Sequence, residues 1–362
     1  RMHAAKAKVD GHYGQKSCAT HGDFRDLIGR KDIDLVCIAT PDHWHVIPAI
    51  MAAKAGKDVI CEKPLTLTVA EGRILSDVVR QTGRIFQTAS ENRSIDSYLR
   101  LIELVRGGCV GAIKHIEVRL PMGNNNCRVG GEARDLFELR SAEEPPKTLN
   151  YDMWLGPAPE KPYTAARTHF VFRWISDYSG GMLCDWGAHL LDLAQWALNS
   201  ERTGPVKVEG YGWKPVHELY DTLTDFHIRY EYADGVELFV DASEPALRIE
   251  GDDGWVGSQK WRGPVQASSR KLLEPVGPGE VQLVSERVDG EHVSFVKAVK
   301  SRASAYAPAE VGHRSITLAH IGNIAVALGR PLRWNPEAER FVDAPDADKL
   351  LSREKRAKWN LV

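Results

Sequence analysis

Short apolar runs alternate with amphipathic stretches through the first quarter of the chain, and this alternation predicts βαβ units carrying a parallel sheet. Asp34-Leu35-Val36-Cys37-Ile38-Ala39 has the pattern of a buried strand; the polar turn Thr40-Pro41-Asp42-His43-Trp44-His45 follows, then a helix through Ala53 that Gly56 stops. Asp58-Val59-Ile60-Cys61 reads as the second strand and ends at Glu62-Lys63-Pro64. Thr68 and Glu71 then form a capping box for a helix to about Gln81. Residues 84–88 read as a third strand, giving way to Ala89-Ser90-Glu91-Asn92-Arg93. Each polar segment thus lies past the carboxyl end of a strand, the edge along which open parallel sheets bind ligands.

After a helix at residues 97–106 the period changes. Ile116, Val118 and Leu120 alternate with Glu117 and Arg119, and residues 226–232 join 236–240 through Ala233-Asp234-Gly235, a hairpin signal. The pattern predicts a mostly antiparallel sheet with helices on it, interrupted by a long Gly-, Asn- and Pro-rich loop at residues 121–162, a length usually associated with function. Residues 309–328 read as one long helix, and Pro331-Leu332-Arg333-Trp334 begins a terminal extension. The expected fold class is therefore α/β: an incomplete parallel-sheet domain over residues 1–94, then an α+β domain with a mostly antiparallel open sheet over residues 95–362.

Charge changes the list of partners more than composition does. Forty-seven Lys and Arg face 49 Asp and Glu for a net of −2, with no basic block at either end, which argues against nucleic acid. The longest apolar runs are strand-sized, far short of the roughly 20 residues of a membrane helix. The 6 cysteines contain no Cys-x-x-Cys, so neither a disulfide scaffold nor a thiolate zinc site is suggested. Arg1 to Lys8 reads as the middle of a helix rather than as a signal peptide, and the expectation is that the chain starts inside a larger natural domain.

Three segments carry candidate chemistry. Glu62-Lys63-Pro64 sets a lysine on stiff backbone at a strand's carboxyl end, where it can donate or accept a proton; the plainer alternative is a turn lysine paired with Glu62. Read as one helix, the stretch from Asp185 to Asp192 puts Asp185, His189 and Asp192 on one face, with Asp185 as N-cap in the structural alternative. Ser179-Gly180-Gly181-Met182, just ahead, offers backbone that a ligand can approach closely. A metal reading joins Asp185 and His189 to His43 and His45, but no third cluster has metal-ligand spacing. Arg173-Trp174 and Asp177-Tyr178 combine flat apolar faces with charged groups, the way sugars and polyols are held.

Together these residues resemble the Gfo/Idh/MocA family of nicotinamide-dependent oxidoreductases, which act mainly on sugars, inositols and related polyols. The resemblance implies a Rossmann-type first domain, with Ala39, Thr40, Pro41, Asp42, His45, Glu62 and Lys63 holding NAD or NADP. It makes Lys63 the catalytic lysine and Asp185 and His189 the pair that binds hydroxyls and passes the proton. Arg93, Arg173, Trp174, Asp177 and Tyr178 become substrate-binding residues. Many members carry Asn where this chain has Asp42. Members also open with a Gly-x-Gly-x-x-Gly turn, which this sequence lacks; on the order of 30 or more residues are expected ahead of Arg1, and the chain alone is expected to bind cofactor poorly.

The implied function is NAD(P)-dependent oxidation of a sugar, polyol or glycoside. Redox-assisted glycoside cleavage with recycled NAD and a non-catalytic sugar-binding protein of the same fold are the alternatives, and a metal hydrolase using His43 and His45 is a third. The expected partners are a carbohydrate and further copies of this chain, as a homodimer or homotetramer through an exposed sheet face. The expected location is cytoplasmic, with export as the alternative, since a bacterial subgroup that the chain resembles is often exported.

Overall fold

The computed structural model describes residues 2–123, 128–129, 132–133, 141–215, 219–274, 281, 283 and 290–360. Helix α1 (Met2–Tyr13) buries no residue, and the short α2 (Phe24–Ile28) leads into β1 (Leu35–Ile38), α3 (Val46–Lys54), β2 (Asp58–Glu62), α4 (Val69–Thr82) and β3 (Phe86–Ala89). The three strands pair in parallel in chain order. Strand β2 is apolar at successive positions because both its faces are covered. Val59 and Cys61 join the main core with residues of α3 and α4, whereas Ile60 packs on Phe295. Helix α4 begins at Thr68, whose Oγ1 accepts from the Glu71 amide, and ends at Gly83 with φ 62. The capping box is shifted by one residue: the Glu71 carboxylate accepts from Leu67 N at 3.1 Å, not from Thr68 N.

Helix α5 (Asp96–Arg106) connects to the second sheet. Its elements are β4 (Ile113–Leu120), β5 (Arg128–Val129), β6 (Glu132–Ala133), α6 (Tyr151–Leu155), α7 (Gly181–Asp185), α8 (Gly187–Ala197), β7 (Lys207–Trp213), β8 (Asp225–Glu231) and β9 (Glu237–Ala242). They continue with β10 (Ala246–Gly251), β11 (Gly254–Ser258), β12 (Gln266–Ala267), α9 (Glu291–Ser301), α10 (Ala309–Leu328), β13 (Leu332–Asn335), β14 (Arg340–Phe341) and α11 (Pro345–Asp348). Among the described residues the large sheet has the order β12-β11-β10-β4-β9-β8-β7-β13-β14, parallel between β4 and β9 and antiparallel elsewhere. The hairpin expected at Ala233-Asp234-Gly235 is the β8–β9 turn, and the terminal extension is the edge hairpin β13–β14. Of the expected loop at residues 121–162, residues 124–127, 130–131 and 134–140 lie outside the described residues, and the described part carries β5, β6 and α6.

Alternation along β8, buried at Phe226, Ile228 and Tyr230, turns one face of this sheet onto α8 and α10. The other face carries the exposed rings of Tyr211 and Trp213 and half-buried ion pairs, such as His227 with Asp241 at 2.6 Å. Helix α10 is buried almost all round because it lies against α4 and β3 of the first unit and α8 and β7 of the second.

Buried charge holds the two units in register. Arg93, just after β3, places its guanidinium on both carboxylate oxygens of Asp192 in α8, at 2.7 and 2.8 Å, with both side chains 1% exposed. Its remaining donors reach Glu201 at 2.7 Å and the Tyr306 carbonyl at 3.1 Å, and Ser315 of α10 donates to Asp192 at 2.7 Å. Removing one member of such a pair strands the other in a medium that cannot hydrate it. Asp192→Leu is therefore expected to lower unfolding free energy by about 3 kcal/mol or more. Urea titration is the measurement, and a loss below about 1 kcal/mol would show that the pair does not hold the halves together.

Candidate active site between the two sheets

Elements from both units converge at the carboxyl edge of the parallel sheet. Lys63 leaves the end of β2 and donates from Nζ to Asp185 Oδ1 at 2.7 Å and to the Asp185 carbonyl at 3.0 Å. The lysine expected to pair with its neighbour Glu62 in the plainer reading is instead tied across the cleft to the end of α7. Arg173 brings Nε to 3.4 Å from the same carboxylate oxygen, with its guanidinium between the Phe170 and Phe172 rings, each 4.8 Å away. Burial by itself would raise the Asp185 carboxyl, but the Lys63 and Arg173 cations hold it below the usual carboxylate value.

The expected one-face stripe of Asp185, His189 and Asp192 requires a correction. Gly187 opens a new helix after Trp186, so Asp185 is the last residue of α7 while His189 lies in the first turn of α8. Asp185 is consequently neither N-cap nor hydrogen-bond partner of His189, and Asp192, deeper in α8, is committed to Arg93. His189 is 5% exposed; its Nδ1 has no partner among the described residues and its Nε2 lies 3.9 Å from Glu91 Oε1. Burial, then the nearby Lys63 ammonium, pushes its imidazole down to about 3. A neutral ring with one buried, unpaired nitrogen suits a ligand hydroxyl better than it suits a second ionised group.

The turn after β1 lies under this cluster. Ala39 and Thr40 are exposed at the sheet edge, whereas Asp42 is 3% exposed and its Oδ2 accepts from Ser179 Oγ at 2.5 Å. Burial pushes the Asp42 carboxyl up to about 7, against the lowering effect of that hydrogen bond. His45 fixes the turn to the lysine segment, with Nε2 2.9 Å from the Thr40 carbonyl and Nδ1 2.8 Å from the Pro64 carbonyl. Burial lowers its pKa, so the neutral ring donates to one of the two carbonyls at a time. His43 points elsewhere, to the Trp154 carbonyl at 3.0 Å. Among the described residues no group of three His, Cys, Asp or Glu side chains is arranged to hold a metal ion.

Other expected substrate residues are placed differently. Arg93 is consumed by the buried pair described above. Trp174 and Tyr178 are core residues, 4% and 0% exposed, and Tyr178 packs against His43 and Trp154. Asp177 faces a separate cleft with His43, Glu71 and Arg353. The glycine pair serves packing: a Cβ on Gly181, at φ 71, would lie 2.6 Å from Thr222, and one on Gly180 would lie 2.1 Å from Cys184 Sγ. The geometry adds Trp261 and Arg262, which carry no local signal. Trp261 lies 5.2 Å from the His189 ring and 4.5 Å from that of Trp186, while Arg262 pairs with Glu91 at 2.6 Å. Trp261 and Arg262 are sequence neighbours far along the chain from Glu91, Trp186 and His189, and meet them only when the large sheet is formed.

Comparison with known proteins agrees with this architecture. Residues 3–90 match the family description "Oxidoreductase family, NAD-binding Rossmann fold", and residues 136–361 match "Oxidoreductase family, C-terminal alpha/beta domain". Levoglucosan dehydrogenase of Pseudarthrobacter phenanthrenivorans is 37% identical over 91 residues, which is 25% of this chain and 23% of that protein. A glycosyl hydrolase family 109 protein of Shewanella putrefaciens is 35% identical over 117 residues, 32% of this chain and 22% of the relative. The matched stretches thus span about a quarter of these curated relatives. A solved levoglucosan dehydrogenase in complex with NADH and levoglucosan superposes with a TM-score of 0.65 at 18% identity, covering 91% of this chain and 88% of that one, a likeness of fold. With both domain descriptions matched in chain order around the lysine-bearing edge and the large sheet, this chain belongs to the Gfo/Idh/MocA oxidoreductase family.

Proposed function

We propose that the protein is an NAD(P)-dependent oxidoreductase acting on a sugar, polyol or glycoside, with Lys63 exchanging the proton of the reacting hydroxyl. The observation that carries this reading is the Lys63–Asp185 contact, which sets a proton-transfer group from the dinucleotide side against a buried carboxylate beside His189. The buried, unpaired Nδ1 of His189 in front of the β1 and β2 turns fits a site that receives a polar ligand there. Ala39, Thr40, Pro41, Asp42, His45, Glu62 and Lys63 would hold the nicotinamide end of NAD or NADP, which when bound supplies the hydride acceptor. Asp185 orients the Lys63 ammonium, Arg173 keeps Asp185 ionised, and neutral His189 hydrogen-bonds a substrate hydroxyl. The outer sheet face with Tyr211 and Trp213 is assigned to self-association.

A second reading is redox-assisted glycoside cleavage. Oxidation of a ring hydroxyl to a ketone acidifies the neighbouring C–H, a base then eliminates the glycosidic substituent, water adds, and the hydride returns. The glycosyl hydrolase family 109 relative favours keeping it. Incubation of the protein, carrying its natural N-terminus, with NAD and a panel of free sugars and aryl glycosides in deuterated water separates the two. Stoichiometric reduced cofactor without bond cleavage marks the dehydrogenase, and aglycone release with deuterium beside the transient ketone marks cleavage. Silence with every carbohydrate would remove the proposal.

Lys63→Met is expected to reduce turnover by about a hundredfold or more while leaving cofactor affinity within a few fold. Since Asp185 acts through Lys63, Asp185→Asn combined with Lys63→Met should cost little more than Lys63→Met alone. Steady-state kinetics with direct cofactor titration gives both numbers, and additive losses would assign Asp185 a separate task.

Asp42 makes a pH prediction whose sign is opposite to that of an ordinary ion-paired carboxylate. With a folded value of about 7 against 3.8 in a free side chain, it stays protonated in the fold while the unfolded chain ionises. Stability is therefore lost progressively as pH rises from about 4 to about 7 and stays reduced above that, by on the order of a few kcal/mol. In Asp42→Asn this titration is gone and the amide still accepts from Ser179. Thermal melts should show the variant gaining on the wild type from pH 4 to 7; a constant difference would place the Asp42 charge in a hydrated setting.

A further inference from the structure

Resting on the carbohydrate reading above, we propose that the loop after β11 is a substrate platform: Trp261, with Trp186, takes the flat C–H face of a cyclic sugar, and the site prefers pyranoses to open-chain polyols. Three observations converge on this loop. Trp261 keeps part of its indole exposed and touches the rings of His189, Trp186 and Tyr98 at centroid distances of 5.2, 4.5 and 6.3 Å, with interplanar angles of 65°, 55° and 65°. None of these neighbours is stacked flat on it. The ring thus packs beside the His189 ring, partly buried against the core, with the Arg262 guanidinium over it.

The loop is also fastened more firmly than a surface connection requires. Arg262 adopts φ 51, a left-handed conformation that non-glycine residues avoid, and its amide donates to the hydroxyl of fully buried Tyr98 at 3.0 Å. Its guanidinium lies 4.9 Å from the Trp261 ring, donates from Nε to Asn92 Oδ1 at 3.2 Å and reaches Glu91 Oε1 at 2.6 Å. Ser258 Oγ lies within the same turn 2.9 and 3.1 Å from the carbonyls of Lys260 and Gly263, its one proton going to either of them. Backbone kept in a sparsely populated region by several surrounding contacts is a feature of ligand-holding sites. The same Glu91 oxygen lies 3.9 Å from His189 Nε2, so the fastening also faces the ring expected to meet a substrate hydroxyl.

The chemistry follows from shape. A pyranose presents several C–H groups on one face and hydroxyls around its edge, so it can lie on an indole while an edge hydroxyl reaches His189 and Lys63. An acyclic polyol has the same hydroxyls but no rigid apolar face, and ordering it costs rotamer entropy. An aromatic wall beside polar acid–base groups therefore selects the ring.

The test measures equilibrium binding by calorimetry and, separately, turnover. Methyl pyranosides and the matching alditols are compared on wild-type protein, Trp261→Ala, Trp261→Phe and Arg262→Gly, with circular dichroism melts confirming that each variant is folded. Trp261→Ala should weaken pyranoside binding by about tenfold while changing alditol binding by less than about twofold. Trp261→Phe should recover most of the loss, and Arg262→Gly should weaken pyranosides although the indole is still present. Equal losses for both ligand classes, or no loss for pyranosides, would overturn the platform even if wild-type protein oxidises sugars. Selective loss of pyranoside binding in a protein that carries its natural N-terminus and never reduces NAD would overturn the oxidoreductase reading and support the platform.

Discussion

The buried contact between Arg93 and Asp192 is the constraint on which the site depends. Neither ion can be hydrated where it lies, so each needs the other, and they come from opposite sides of the molecule: Arg93 from the end of the parallel sheet, Asp192 from the helix on the large sheet. Ser315 adds a third attachment, from α10. Fixing β3 against α8 also fixes β2 beside it and α7 before it. Lys63 and Asp185 are therefore brought within 2.7 Å by a joint made elsewhere. This division of labour leaves the Lys63–Asp185 contact separate from the joint that positions it.

Much of this arrangement was legible as pattern. Helix α10 runs from Ala309 to Leu328, the span its apolar residues mark out, and the alternation in β8 and β9 gives both the hairpin and the covered face. Placing Lys63 at a strand's carboxyl end needed only the βαβ rhythm. What periodicity could not resolve was a break inside a helical pattern. The apolar residues on either side of Trp186 continue in phase, yet the chain changes helix there, so the single helix that the spacing of four assumed is two, α7 and α8. Arg93 misled for a different reason. A charged residue in a polar turn looks available, and only the tertiary contact reveals that a second buried charge claims it. Trp261 was illegible because its meaning depends on His189, far away in sequence, and nothing near it announces that neighbour.

Electrostatics explains why one lysine stands out in so polar a site. His189 and Asp42 are both crowded by protein, and burial drives each toward its neutral form, the imidazole down to about 3 and the carboxyl up to about 7. Asp185 escapes because two cations lie against it. The cluster thereby avoids stacking unpaired charges in low dielectric, which would be costly, and keeps its ionic character in the Lys63–Asp185–Arg173 group. Around it, His189 and Asp42 supply hydrogen bonds whose strength owes nothing to net charge.

That charge pattern bears on why the neighbouring wall is aromatic. A further ion beside Lys63 would either pair with it or raise the burial cost, and either effect would disturb the Lys63–Asp185 contact. An indole contributes contact area and shape without a formal charge, and the cation that secures it, Arg262, is itself answered by Glu91. The aromatic wall therefore adds no formal charge to the Lys63–Asp185 contact. The loop after β11 and the end of β2 are thus separate in the chain, and the fold sets them in one region through the Arg93–Asp192 joint.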